Sequence, residues 1–219
     1  MPDFSEAGLL AYFSEFAYQP YKVYGLIALF MLASSFGLPV PEELVLVTAG
    51  LVGYMASDPE NYPPPFEGAI GVNITTLAMV CFFAVFLSDL LVYLIGKFFG
   101  GNLIKTSFFQ KRIQGKFFEQ INDWFKKYGG WACGIFRFTP GLRFTGHLSC
   151  GLLGVPLWKF VLIDGLAALV SVPTQIIVVS AYGDIVLDKM RDFKIGVLIV
   201  ILIMCLVYVS KRLLRQKKT

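Results

Sequence analysis

Residues 131–155 read WACGIFRFTPGLRFTGHLSCGLLGV. The stretch is apolar, yet Pro140 and Gly141 interrupt it and two arginines, Arg137 and Arg143, flank the interruption. Proline removes an amide donor and breaks the helical ladder. Broken backbone is tolerated at membrane depth only where protein or a water-filled cavity satisfies it. The expected structure is therefore a re-entrant hairpin over 131–155 that enters and leaves on one side. A second interrupted stretch, 38–56, carries Pro39 and Pro41 followed by Glu42 and Glu43, and the same reasoning predicts a second hairpin there.

Outward from these two stretches the chain is built for lipid. Its 219 residues are 56% hydrophobic and 16% charged, well under the roughly 25% charged expected of a soluble domain. Spanning the hydrocarbon takes about 20 apolar residues. The runs 21–36, 69–95, 160–182 and 193–209 are read as four transmembrane helices. The fold class expected is thus an all-α integral membrane domain, 1–219, of about four transmembrane helices and two re-entrant hairpins. Phe4, Leu9, Leu10, Phe13, Phe16 and Ala17 fall on one helical stripe, which predicts an interfacial amphipathic helix within 1–20. The first 15 residues carry no Lys or Arg, so the basic region of a cleavable signal peptide is missing and the N-terminus is expected to be retained.

Lys and Arg gather in cytoplasmic loops. The loop 97–127 and the tail within 193–219 are both basic, whereas 57–68 carries Asp58, Glu60 and Glu67 with no basic residue. Four crossings with two hairpins that return to their own sides put both basic regions, and both termini, in the cytoplasm. A full crossing by the second hairpin would separate the basic regions; charge tests the first hairpin less well. In this topology the hairpins enter from opposite faces and their tips meet near the midplane. Gly50-Leu51-Val52-Gly53 and Gly151-Leu152-Leu153-Gly154, each following a proline, hint at an inverted duplication.

A charge at the bilayer centre costs about 2.5–3.5 kcal/mol on insertion scales, so it needs a reason. Glu42, Glu43 and Asp89 lie in one half of the chain, Arg137 and Arg143 in the other. Two readings stand. Ion pairs between the halves hold the hairpins together; or the arginines receive an anionic group while the carboxylates exchange protons. Arg suits phosphate because its guanidinium is a rigid fork that keeps its charge. His147, the only histidine, is an accessory candidate as a proton carrier, beside the plainer reading of a packing residue. Asp164, five residues from Lys159, reads as half of a local surface pair. Cys81, Cys133, Cys150 and Cys205 read as small packing residues, with nothing in the spacing to support a Cys133–Cys150 bridge. No histidine pair or metal cluster is visible, so no metal and no cofactor beyond a coupling proton is expected, and a membrane phosphatase is disfavoured. Aromatics between the basic residues of 97–127 suggest interfacial helices rather than a nucleic-acid surface.

At these residues the chain resembles the DedA family of bacterial inner-membrane proteins, which shares its fold with the VTT-domain lipid scramblases. Arg137-Phe138-Thr139-Pro140-Gly141-Leu142-Arg143 is similar to the family's Arg-Phe-x-Pro-x-x-Arg signature, and Pro39-Val40-Pro41-Glu42-Glu43 to its proline-rich acidic motif. Ser88-Asp89 with Tyr93, Gly96 and Gly100 is similar to its Gly-Asp and YxxG segment. The resemblance covers 36–184. Glu42 stands where the family often has glycine, so position favours Glu43 as the functional glutamate, and Ser88 replaces the usual glycine before Asp89. The resemblance implies opposed hairpins in the inner membrane and movement of lipid phosphates such as undecaprenyl phosphate between leaflets, with dependence on the proton motive force. Carried over, Arg137 and Arg143 would bind the phosphate, and Glu43, Asp89 and Glu42 would serve proton coupling or gating. No covalent chemistry is expected; the partners are membrane lipids, with an oligomer compatible. The alternative is a proton-coupled transporter of a small soluble solute or ion.

Overall fold

The computed structural model describes residues 14–35, 42–103, 116–139 and 143–189, which contain helices and no strand. The helices are α1 (Pro20–Ser35), α2 (Glu42–Ser57), α3 (Ile74–Leu103), α4 (Lys116–Tyr128), α5 (Ala132–Arg137), α6 (Arg143–Leu152) and α7 (Leu157–Ala181). Local chemistry sets their ends. Pro20 opens α1, where its missing amide has no ladder partner to lose. Asn73 caps α3 by accepting from the Thr76 amide at 3.0 Å. After α6, Gly154 takes φ +71° and the Val155 amide donates to the Cys150 carbonyl at 3.0 Å. A side chain would resist that left-handed turn, which swings the chain into α7.

Among the described residues, two helices are long and apolar enough to cross a membrane, at Ile74–Gly100 and Leu157–Ala181. At 1.5 Å per residue each exceeds the roughly 30 Å of hydrocarbon. Leu162, Leu166, Leu169, Val170, Ile177 and Val178 of α7 are exposed, as a face toward lipid requires. Pro173 lies inside α7.

The halves of the chain exchange partners: α2 packs on α7, α6 packs on α3, and the long helices α3 and α7 pack on each other. Small residues permit the close approach. A Cβ at Gly96 would collide with the Leu148 carbonyl, and one at Gly151 with the Tyr93 carbonyl. Gly50 and Gly53 do the same for α2 against Val179 and Ser180. The Ser180 hydroxyl donates to the Gly50 carbonyl at 2.9 Å.

The run 21–36, read as a transmembrane helix, contains the 16-residue α1, and the residues that follow Ser35 up to position 41 lie outside the described ones. The stretch 38–56, read as a hairpin, contains the single unbroken α2 from Glu42 onward; Pro39 and Pro41 lie outside the described residues. In 131–155, α5 and α6 pack against each other, as a helical hairpin requires, with Pro140 and Gly141 outside the described residues. Also outside are 1–13, 104–115 and the expected helix 193–209 with its basic tail; of the interfacial helix only 14–17 is described, and is helical. Within 97–127, α4 forms a helix whose Trp124 stacks on Phe136 of α5 at 5.5 Å.

Candidate functional site

Six ionisable side chains from five helices meet where α2, α3, α5, α6 and α7 converge. Asp89 on α3 is the hub. It accepts from Arg137 Nη1 at 2.7 Å, from Arg143 Nε at 3.1 Å and Nη2 at 2.8 Å, and faces His147 Nδ1 at 3.1 Å. Arg137, the last residue of α5, also donates from Nη1 to Asp164 on α7 at 2.8 Å and from Nε to the Ser171 hydroxyl at 3.2 Å. Glu42, the first residue of α2, pairs with Arg143 Nη1, and its other oxygen accepts from the Ser34 hydroxyl at 2.9 Å.

The two arginines occupy different environments. The Arg137 side chain is 2% exposed and Asp164 0%, whereas Arg143 is 12% and Glu42 15% exposed. Arg137 is enclosed among carboxylates; Arg143 is the more exposed of the two. Arg143 is also the first residue of α6, and the dipole at a helix N-terminus favours an anion. Its guanidinium adds to that field instead of opposing it, as a base at a C-terminus would.

The helix-packing side chains serve the cluster. Tyr93, one turn from Asp89, donates to the Val155 carbonyl at 2.6 Å and stacks on Phe160 at 4.5 Å. The His147 and Phe160 rings meet nearly at right angles, with centroids 5.4 Å apart. Tyr93 and Gly96 together thus lock α6 beside Asp89, which gives the YxxG spacing a physical purpose. Ser88, in place of a glycine, ties α3 to α1: its hydroxyl donates to the Met31 carbonyl at 2.9 Å and lies 2.7 Å from the Ser35 hydroxyl.

Of the residues singled out in the sequence, Glu42, Asp89, Arg137, Arg143 and His147 come together. Glu43 does not. It lies exposed one position around α2, so the glutamate at the cluster is Glu42. Asp164 is no surface residue: it is fully buried against Arg137, while Lys159 is exposed beside the Trp158 ring at 5.4 Å. Cys133 of α5 and Cys150 of α6, read as packing residues, are both buried and joined as a disulfide, with Cα atoms 6.4 Å apart.

Asp89, His147 and Asp164, distant in sequence, each bring a ligand-type atom within 4.8 Å of the others. The set does not suit a cation. Both carboxylates already accept from guanidiniums at 2.7–2.8 Å, and an entering ion would meet two fixed positive charges. Among the described residues the buried polar atoms left without a hydrogen-bond partner are Arg137 Nη2, a donor open to an anion, together with Glu42 Oε2, Asp164 Oδ2 and His147 Nε2.

Comparison with known proteins places the chain in a family. The VTT domain profile matches residues 40–182. An uncharacterized membrane protein of Haemophilus influenzae is 27% identical over 169 residues, covering 77% of this chain and 71% of that one. Undecaprenyl phosphate transporter A of Staphylococcus aureus is 28% identical over 141 residues, 57% of this chain and 63% of that protein, so under two thirds of its length is matched. An inner membrane protein of Borreliella burgdorferi is 22% identical over 204 residues, 91% of this chain and 89% of that one. No solved structure matches the chain. The chain belongs to the VTT-domain, or DedA, family of membrane proteins.

Proposed function

We propose that this protein moves lipids with a phosphate headgroup, in the first place undecaprenyl phosphate or a phospholipid, between leaflets of the bacterial inner membrane. The observation that carries the reading is Arg143: the more exposed guanidinium of the two, at a helix N-terminus and held by Glu42 and Asp89. A phosphate oxygen is the same kind of acceptor as a carboxylate oxygen, so a headgroup exchanges with Glu42 for the same donors. Glu42 then acts as the internal occupant that keeps the site filled between turnovers. Arg137 shapes the site and offers its unused Nη2, while Asp89 holds both arginines in place. The hydrocarbon tail stays in lipid beside the exposed apolar faces. Names of two relatives, in Staphylococcus aureus and Bacillus subtilis, point to the same substrate class.

In this reading the hairpins enter from opposite faces, both termini lie in the cytoplasm, and protons couple to transport. No bond in the lipid is made or broken. The test is full-length protein in liposomes loaded with labelled undecaprenyl phosphate or phospholipid, with and without a proton gradient. Transfer between leaflets above that of empty liposomes is the expected result. Transfer of neither lipid under either condition sinks the reading. Uptake of a soluble anion that lipid phosphates leave unaffected would identify a solute transporter instead.

A further inference from the structure

The disulfide between Cys133 and Cys150 joins the two arms that carry the arginines. Cys133 stands four residues before Arg137 on α5 and Cys150 seven after Arg143 on α6, spacings that put each cysteine on its arginine's side of the helix. The bridge closes a loop of sequence separation 17 that holds Pro140, Gly141 and both arginines. Helix α5 has six residues, too few to keep a helix or a position unaided. Its ion pairs run to α3 and α7. Against α6 it is held by Phe136, which fills the space a Cβ on Gly146 would take, and by the bridge. In this bridged form the Arg137 side chain is 2% exposed, and its Nη2 has no hydrogen-bond partner among the described residues.

The bridge lies at the basic end of the protein. Gly151, next to Cys150, packs on the Tyr93 carbonyl and the Lys97 amide, and Gly130, three residues before Cys133, lies beside the Lys159 stem. Lys97, Lys126, Lys127 and Lys159 are exposed there, while Asp58, Glu60 and Glu67 follow α2 at the opposite end of α3. The charge rule puts a basic end in the cytoplasm, where thiols are kept reduced and a protein disulfide is usually transient, catalytic or redox-sensing. We propose that Cys133 and Cys150 are a reversible oxidation site that shuts the transporter. As thiols they let α5 part from α6, so that a phosphate headgroup reaches both arginines; as a disulfide they keep Arg137 enclosed. The effect on transport rests on the phosphate reading; the latch itself does not. Hydrogen peroxide gives one oxygen to the first thiol, leaving a sulfenic acid and water; the second thiolate attacks that sulfur and expels hydroxide, which leaves as water with the second thiol's proton. In the reverse direction a small dithiol exchanges through a mixed disulfide and ends as a cyclic disulfide, and its two electrons and two protons restore both thiols.

Full-length protein in liposomes is first reduced with dithiothreitol, and half is then treated with hydrogen peroxide. Maleimide tagging should count two free thiols fewer after peroxide. Amide hydrogen exchange over residues 132–137 should be faster in the dithiol form. Transfer of labelled undecaprenyl phosphate should be faster in that form by about tenfold or more, because a cross-link of this span removes much of the entropy of the parted state. Cys133→Ala and Cys150→Ala should each exchange and transfer as the dithiol form does, with or without peroxide. An unchanged thiol count means that no bridge forms, and overturns the inference. Equal exchange over 132–137 in the two forms overturns the latch and leaves the phosphate reading standing. Faster exchange with equal transfer overturns the control of transport, and so does a loss of transfer on peroxide treatment that persists in both variants. Transfer in neither form overturns that control and the phosphate reading together.

Discussion

Arg143 grips Asp89 through two parallel bonds, Nε to Oδ1 at 3.1 Å and Nη2 to Oδ2 at 2.8 Å. The fork geometry fixes the start of α6 against the middle of α3. Asp89 also accepts from Arg137, so one carboxylate joins both arms of the 131–155 segment to a membrane-spanning helix. The site and the packing of the helices are therefore one object.

Replacing Asp89 by Asn keeps the shape and removes the charge both arginines share. Breaking a buried pair by losing one partner costs about 3–5 kcal/mol. Thermal unfolding of Asp89→Asn in detergent should show a clear fall in Tm, and a wild-type Tm would mean the arginines are held by something else.

The arginines should respond differently to substitution. Arg137→Ala leaves both Asp89 and Asp164 without their common partner, so little folded protein should be recovered. Arg143→Lys retains a charge without the planar fork. It should fold, and lipid-phosphate transfer should slow by at least about tenfold, or ~1.4 kcal/mol. Equal loss of folded protein in both variants, seen by size-exclusion profile, would contradict the division of roles.

Glu42 and Glu43 are adjacent, but only Glu42 meets Arg143. Transfer assays should find Glu42→Gln altered in rate, because the competitor for the phosphate donors loses its charge, and Glu43→Gln close to wild type. The reverse order would restore Glu43 as the functional glutamate.

Glycine positions offer a test of the packing alone. Gly96→Ala and Gly151→Ala each drive a methyl into backbone, the Leu148 and Tyr93 carbonyls, which no rotamer change relieves. Overpacking of this kind should cost about 3 kcal/mol or more. Gly25, in α1, has open space where a Cβ would stand, with nothing within 4 Å. As Ala it should instead gain about 0.5–1 kcal/mol from helix propensity. Unfolding temperatures of the three variants give the comparison.

The four charges Glu42, Asp89, Arg137 and Arg143 were legible because an ionisable group in an apolar run stands out by itself. Asp164 stood out equally but was assigned to Lys159, a neighbour in sequence. Its burial follows from the face of α7 that carries Phe160, Asp164, Ala168, Val172 and Ile176, four residues apart. In a lipid-facing helix both faces are apolar, so hydropathy does not separate core from surface. Small residues do: Glu42 begins the stripe that continues through Leu46, Ala49, Gly50 and Gly53 on α2, and that spacing distinguishes it from Glu43. The Cys133–Cys150 pairing had no local signal, since it depends on α5 and α6 lying side by side.

The account centres on Arg143 as the group that takes the phosphate. The most direct measurement is the rate of leaflet-to-leaflet transfer of labelled undecaprenyl phosphate in liposomes by wild type and Arg143→Ala, with unfolding temperature recorded for each. Asp89 keeps Arg137 in the variant, so the fold should persist while transfer falls to the rate of protein-free liposomes. A folded Arg143→Ala protein that transfers the lipid at the wild-type rate would contradict the account.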